Sequence, residues 1–254
     1  MKTTVAGVLS MTFIAAEAFA ENVTIKTPRG TIVNVSVDRP AGADGRSPVL
    51  IIAPGQGYHK ELPLIKMFAH KAVAAGLVVY RFDWGYFSAD PKSGRPSYKL
   101  QLEAEDMQTV INHAKADTAV DSSRIVLAGK SIGSRVSYQI FNASKDYRGL
   151  ILMTPICTDP DTGKSVGTES YPSFSQNTRP ISFILGDSDA LCKIPTLYEF
   201  AHLTAGNVTI NVLKGGHSLT VGAPGDAANA KIDAVNLDLA TSTATLWAQL
   251  ALFK

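Results

Sequence analysis

The apolar run Arg124-Ile125-Val126-Leu127-Ala128 leads straight into Gly129-Lys130-Ser131-Ile132-Gly133, and a helical stretch over residues 133–141 follows at once. A buried strand must therefore turn into a helix within a few residues, which requires a sharp, glycine-flanked bend. A G-x-S-x-G in this setting is the pattern of a nucleophile elbow: the serine takes a strained backbone conformation and stands at the strand tip. In a plainer reading, Ser131 only caps the helix from a glycine-rich turn. Gly129-Lys130-Ser131 also reads as the tail of a phosphate-binding loop, but G-x-x-x-x-G-K-S needs glycine where the chain has Arg124, which argues against a nucleotide site.

The remaining pattern builds a sheet around that bend. Residues 22–27 and 30–37 alternate apolar and polar side chains on either side of Pro28-Arg29-Gly30, which predicts an antiparallel hairpin. Residues 49–53, 77–82, 150–153, 181–185 and 208–213 are short apolar runs of the kind found in strands covered on both faces. Helical patterns lie between and after them, over 62–75, 99–115, 133–143, 194–203 and 230–253. Strand and helix alternate, so the expected class is α/β: an open, mostly parallel sheet with helices on both faces, entered by the N-terminal hairpin. The polar stretches 85–97 and 158–179 are too short for a helical cap domain, which predicts a thinly covered site.

The N-terminus reads as a leader. Met1-Lys2 supplies a positive charge, residues 5–16 are mostly apolar and uncharged, and Ala18-Phe19-Ala20 places small residues at the two positions a signal peptidase reads. We expect residues 1–20 to be a cleaved secretory signal and residues 21–254 a single domain, secreted or periplasmic. As a membrane anchor the apolar stretch falls short of the ~20 residues a span needs, and Glu17 interrupts its end. No later segment is suited to crossing a bilayer. The formal charge of +2, with no stripe of Lys and Arg interleaved with aromatics, argues against a nucleic-acid partner. Cys157 and Cys192 each follow an apolar run, so in an oxidising compartment a disulfide between them is expected, with two buried thiols as the alternative.

A serine hydroxyl needs a histidine to take its proton and a carboxylate to fix that histidine's tautomer. His70 and His113 fall inside helical patterns and His202 near a helix end, where surface or packing roles are expected. His59, after Pro54-Gly55-Gln56-Gly57-Tyr58, lies at a strand tip together with Tyr58 and is a candidate for substrate contact. His217, in Lys214-Gly215-Gly216-His217-Ser218, follows the last strand at its C-terminal end, where open α/β sheets place their sites, and is the expected base. The acid should come from Gly186-Asp187-Ser188-Asp189; Asp189 lies farther into the loop and is favoured over Asp187, with Asp159 and Asp161 in reserve. Backbone amides of Gln56 and Ile132 are placed to form an oxyanion hole. No His/Asp/Glu cluster has metal-ligand spacing, so neither a metal nor a cofactor is expected.

Ser131, Asp189 and His217 in that order, the Pro54-Gly55-Gln56-Gly57 turn, Val79-Tyr80-Arg81-Phe82-Asp83-Trp84 and the strand–helix rhythm together resemble the α/β-hydrolase family across nearly the whole mature chain. The likeness is to compact, lidless, dienelactone-hydrolase-like members, although those with cysteine at the elbow differ from this chain. The resemblance implies a serine hydrolase working on a small-molecule ester or acyl substrate, with a carboxylesterase as the leading expectation. An acyltransferase or peptidase on the same machinery, or a non-catalytic binding protein of this fold, are the alternatives, because likeness of this kind fixes machinery better than substrate. The same likeness makes the two cysteine-bearing strands neighbours.

Overall fold

A computed structural model describes residues 19–42, 45–223 and 225–252. In chain order the elements are β1 (Phe19–Lys26), β2 (Ile32–Arg39), β3 (Ser47–Ala53), α1 (Pro63–Ala74), β4 (Val78–Phe82), α2 (Gly85–Ala89), α3 (Gln101–Ala116), β5 (Val120–Lys130), α4 (Ile132–Ala143), β6 (Tyr147–Met153), α5 (Gly167–Ser170), β7 (Ile181–Gly186), α6 (Ile194–Ala201), β8 (Val208–Leu213) and α7 (Ala230–Leu252). The eight strands form one sheet in the order β1-β2-β4-β3-β5-β6-β7-β8. β1, β2 and β4 pair antiparallel, and every pairing from β4 through β3 to β8 is parallel. This is the α/β-hydrolase architecture, entered by the expected hairpin.

Side chains on a strand alternate between faces, and the apolar runs are continuous because both faces here are covered. Val49, Ile51, Ile125, Leu127, Leu150 and Leu152 join one core, with α3 and α4 residues such as Met107, Ile111 and Val136. Leu50, Ile52, Val126, Ala128, Ile151 and Met153 join the other, beneath α1 and α7. On α7 the residues that meet this second core include Ala240, Ala244 and Ala248, small enough for close approach to the sheet. Lys71 on α1 reaches Asp238 on α7 at 2.6 Å.

β8 departs from the expectation of a strand covered on both faces. It is the last strand of the sheet, paired only to β7, and its Val212 is 42% exposed. Val208-Thr209-Ile210-Asn211 alternates, as a half-buried edge strand does. Two stretches read as loops contain short helices, α2 in the first and α5 in the second, the latter followed by a single helical turn at Phe174–Gln176. Most of the expected leader, residues 1–18, lies outside the described residues; its last two, Phe19 and Ala20, pair with Arg39 and Asp38 in β1. Because β3, β5, β6, β7 and β8 run parallel, the loops after them gather at one edge of the sheet.

Candidate active site

The elbow is forced by packing at both of its glycines. A Cβ on Gly129 would run into the Gly133 carbonyl, and one on Gly133 would lie 2.5 Å from the Pro54 carbonyl oxygen and 2.6 Å from that of Ala53. Between them Ser131 has φ 55° and ψ −121°, a region L-residues rarely occupy. Its N–H donates to the Met153 carbonyl at 3.0 Å, which ties the bend to β6. Its own carbonyl accepts from the Ser134 N–H at 2.9 Å and from the Ser134 hydroxyl. Ser134 Oγ in turn lies 2.8 Å from the hydroxyl of buried Tyr171, which accepts from the Ile156 N–H at 3.0 Å. Burial pushes the Tyr171 phenol up to about 12, so at neutral pH it is a hydrogen-bond donor in this chain.

Ser131 Oγ lies 2.9 Å from His217 Nε2, and His217 Nδ1 lies 2.9 and 3.0 Å from the two oxygens of Asp189. Asp189 is 2% exposed and Ser131 8%. A buried carboxylate facing Nδ1 favours the tautomer with its proton there, which leaves Nε2 as the acceptor for the Ser131 hydroxyl. The structure thus brings together the serine, histidine and aspartate selected from sequence. Asp187 is turned elsewhere. It pairs with Lys214 at 2.7 Å and accepts from the Gly215 N–H and the Ser188 hydroxyl, and these bonds hold its carboxyl down at about 2. Asp159 accepts from the Asp161 and Thr162 N–H groups in a turn of its own.

Each of the two loops is positioned locally. Asp189 Oδ1 accepts from the Leu191 N–H at 2.9 Å, and the Leu191 carbonyl accepts from the N–H groups of both Cys157 and Thr158. One residue further on, Cys192 is bonded to Cys157 in a disulfide. The histidine loop begins at Gly215, φ 114°, where a Cβ would strike the Thr220 carbonyl. Gly216 N–H donates to Thr220, Leu219 N–H to Gly216, and the Asn236 amide of α7 donates to the Lys214 and Leu219 carbonyls.

The turn after β3 closes the other side. A Cβ on Gly55 would sit 3.2 Å from Ser131 Cβ, and Trp84 Nε1 donates to the Pro54 carbonyl at 3.0 Å. Gln56 follows Gly55 in this turn, while Ile132 opens α4, where helix geometry provides no intrahelical acceptor for its N–H. Tyr58 presents its ring to Lys130, whose Nζ is 4.2 Å from the ring centroid. His59 instead stacks on Phe87, 5.8 Å between centroids. Beyond Tyr58 and Ser218 a cavity of about 330 Å³ opens between α1, α7 and the histidine loop, lined by Leu62, Leu64, Leu219 and Leu237. Among the described residues no group of three or more His, Cys, Asp or Glu could hold a metal ion, and no helix is long and apolar enough to cross a membrane.

Lys130, Tyr171, Trp84 and Asn236 support the site without having been singled out from sequence. Lys130 had a local signal, as a charged residue in the middle of an elbow that follows the buried run 125–129, and Trp84 ended the run 79–84.

Comparison with known proteins agrees with this fold. A family model described as an alpha/beta hydrolase domain matches residues 46–242. Among solved structures, Est1E from Butyrivibrio proteoclasticus superposes with a TM-score of 0.70 at 17% identity, covering 92% of this chain and 99% of its own; it has also been solved with ferulic acid bound. A dienelactone hydrolase from Anabaena variabilis gives 0.69 at 14% identity over 92% of this chain and 99% of that one. XC6422 from Xanthomonas campestris, described as an α/β serine hydrolase without a lid, gives 0.61 at 18% identity over 91% and 93%. No protein of curated function matches the chain in sequence.

Proposed function

The chain belongs to the alpha/beta hydrolase family, and from that membership we propose that it hydrolyses carboxylic esters through an acyl-enzyme on Ser131. The observation that carries the reading is the unbroken hydrogen-bonded line from Asp189 through His217 to Ser131. His217 Nε2 takes the hydroxyl proton as Ser131 Oγ attacks the ester carbonyl, and buried Asp189 stabilises the resulting imidazolium. The Gln56 and Ile132 amides receive the oxyanion. His217 returns the proton to the departing alcohol, then takes one from a water that attacks the acyl-enzyme, and the tetrahedral adduct collapses to release the acid and restore the Ser131 hydroxyl.

The cavity behind Tyr58 and Ser218 supports an ester with one apolar half. At about 30 Å³ per water-sized group, its volume of about 330 Å³ accommodates roughly ten non-hydrogen atoms, a size compatible with a short alkyl or single-ring group. We further infer that residues 1–20 are removed on export, so that the mature single domain starts at Glu21 and β1 is shortened by two residues. The Cys157–Cys192 disulfide is compatible with that destination. N-terminal sequencing of the exported protein checks the cleavage point.

A fluorophosphonate probe tests the central claim. It is expected to label the wild-type protein once, at Ser131, and to leave Ser131→Ala unlabelled, while 4-nitrophenyl esters of increasing acyl length are turned over only by the former, with a loss on the order of 10⁴–10⁶ in kcat for the variant. Equal labelling of the two proteins, or more than a tenth of the turnover retained by Ser131→Ala, overturns the assignment.

A further inference from the structure

The lysine inside the elbow is unusual on physical grounds. Lys130 is 1% exposed, yet it carries an ammonium that has no carboxylate within ion-pairing distance among the described residues. Its Nζ donates one hydrogen bond, 3.2 Å to the main-chain carbonyl of His217, and lies over the Tyr58 ring. Burying a lysine for packing alone is unfavourable, because a methionine or leucine fills the same space without desolvating a charge. Its two contacts belong to two different loops. One loop carries the proposed base. The other carries Gln56, and Tyr58 is bound to that turn by its N–H donating to the Gly55 carbonyl.

We propose that Lys130 is a positioning residue whose ammonium clamps the His217 loop and the Pro54–Tyr58 turn to the elbow, holding base and oxyanion amides in register with Ser131. The inference rests on the serine-hydrolase reading above. The carbonyl it holds is that of His217 itself, so a shift there moves the imidazole directly. The attraction to the Tyr58 face depends on the positive charge, and the neutral amine retains only the hydrogen bond. The titratable groups that face the ammonium are Tyr58, His217 and Asp189. Burial pulls the lysine down to about 8, against the opposing attraction of Asp189, so the clamp loosens as the pH rises through that value.

The linkage sign separates this role from a structural one. A lysine whose folded-state pKa is depressed opposes folding while it is charged in both states, below about pH 8, and the opposition is relieved as pH rises toward the unfolded value. Lys130→Met is therefore expected to keep or raise Tm at pH 7 while lowering kcat between tenfold and a hundredfold with little change in KM, the size of effect that misplacing reacting groups by about 1 Å produces. The wild type should lose kcat/KM above about pH 8 with a one-proton limb that Lys130→Met lacks. Hydrogen exchange at residues 215–220 and 56–59 should accelerate in the variant, a readout that needs no turnover. Lys130→Gln, which keeps a donor but no charge, serves if the methionine variant misfolds: it should lose less than tenfold in kcat and also lack the limb.

A Tm that falls in step with activity, an alkaline limb that persists in the variant, or unchanged exchange in both loops overturns the clamp. Failure of the wild type to react with the fluorophosphonate would instead overturn the serine-hydrolase reading and leave the exchange experiment to decide the clamp.

Discussion

The loop after β7 and the loop after β8 deliver adjacent members of one hydrogen-bonded line by different physical means. The β7 loop follows an interior strand and is cross-linked: Asp189 is buried, Leu191 bonds back to it, and Cys192 is joined to Cys157 near the start of the loop after β6. The β8 loop leaves an edge strand and is held by hydrogen bonds alone, through Gly215, Gly216 and the Asn236 amide, with the Lys130 ammonium beneath. In the mechanism proposed above, the acid needs only to stay where it is, whereas the base exchanges a proton with three partners in turn, and a ring that must do so is better served by restraints that yield slightly. On that reading the cross-link falls on the residue that takes no part in proton transfer.

The largest effect that bears on this contrast comes from the acid itself. Asp189→Asn should reduce kcat about 10⁴-fold by favouring the wrong His217 tautomer, while Asp187→Asn, which loses an exposed pair with Lys214, should stay within a few fold of wild type in the same assay. Comparable losses would mean that the β7 loop acts as one electrostatic unit. Next is the hinge of the histidine loop. Gly215→Ala puts a side chain at φ 114° and against the Thr220 carbonyl, a strain of about 1–3 kcal/mol, and is expected to lower kcat by tenfold to a hundredfold as the loop shifts. Asn236→Ala removes two bonds to the same loop and should cost about tenfold in kcat, with faster exchange confined to residues 214–220.

Reducing the disulfide should have the smallest effect on turnover, under threefold, and a large one on stability. Opening a link across a sequence separation of 35 frees about 4 kcal/mol of unfolded-state entropy in the chain-entropy model. For a domain of this size that amounts to roughly 8–15 °C in Tm. A reduced protein that loses activity in proportion to stability would erase the distinction between the two loops.

What sequence made legible follows from how local each constraint is. The elbow could be read because both flanking glycines are demanded by close backbone neighbours, Gly129 by the Gly133 carbonyl within the bend and Gly133 by the Pro54 and Ala53 carbonyls at the tip of β3, and the strand and helix patterns because each face of the sheet is covered. The apolar run of β8 reads as a fully covered strand because it hides an edge position that only the strand order reveals. Asp189 and Asp187 are two residues apart, and spacing could favour one without settling where Lys214 would draw the other. Tyr171 and Asn236 are invisible from sequence, and Trp84 is visible only as part of the run 79–84, for a common reason: each bonds a backbone group far away in the chain, and nothing beside it marks the partner.

Ser131 held at φ 55° has a thermodynamic corollary. The native state keeps local energy at that one residue, on the order of 1–3 kcal/mol for a side chain in so sparsely populated a region, and a residue without a Cβ releases it. Part of the gain returns as the greater chain freedom of glycine when unfolded, about 0.4–1 kcal/mol. Ser131→Gly should therefore be an inactive protein that melts a few degrees above the wild type, and Ser131→Ala, which keeps the Cβ, should not. Differential scanning calorimetry of the three proteins decides it, and equal melting temperatures for the glycine and alanine variants would show that the bend is relaxed. If the ranking holds, selection for thermal tolerance alone would drive this position away from serine, and its retention would record selection for turnover.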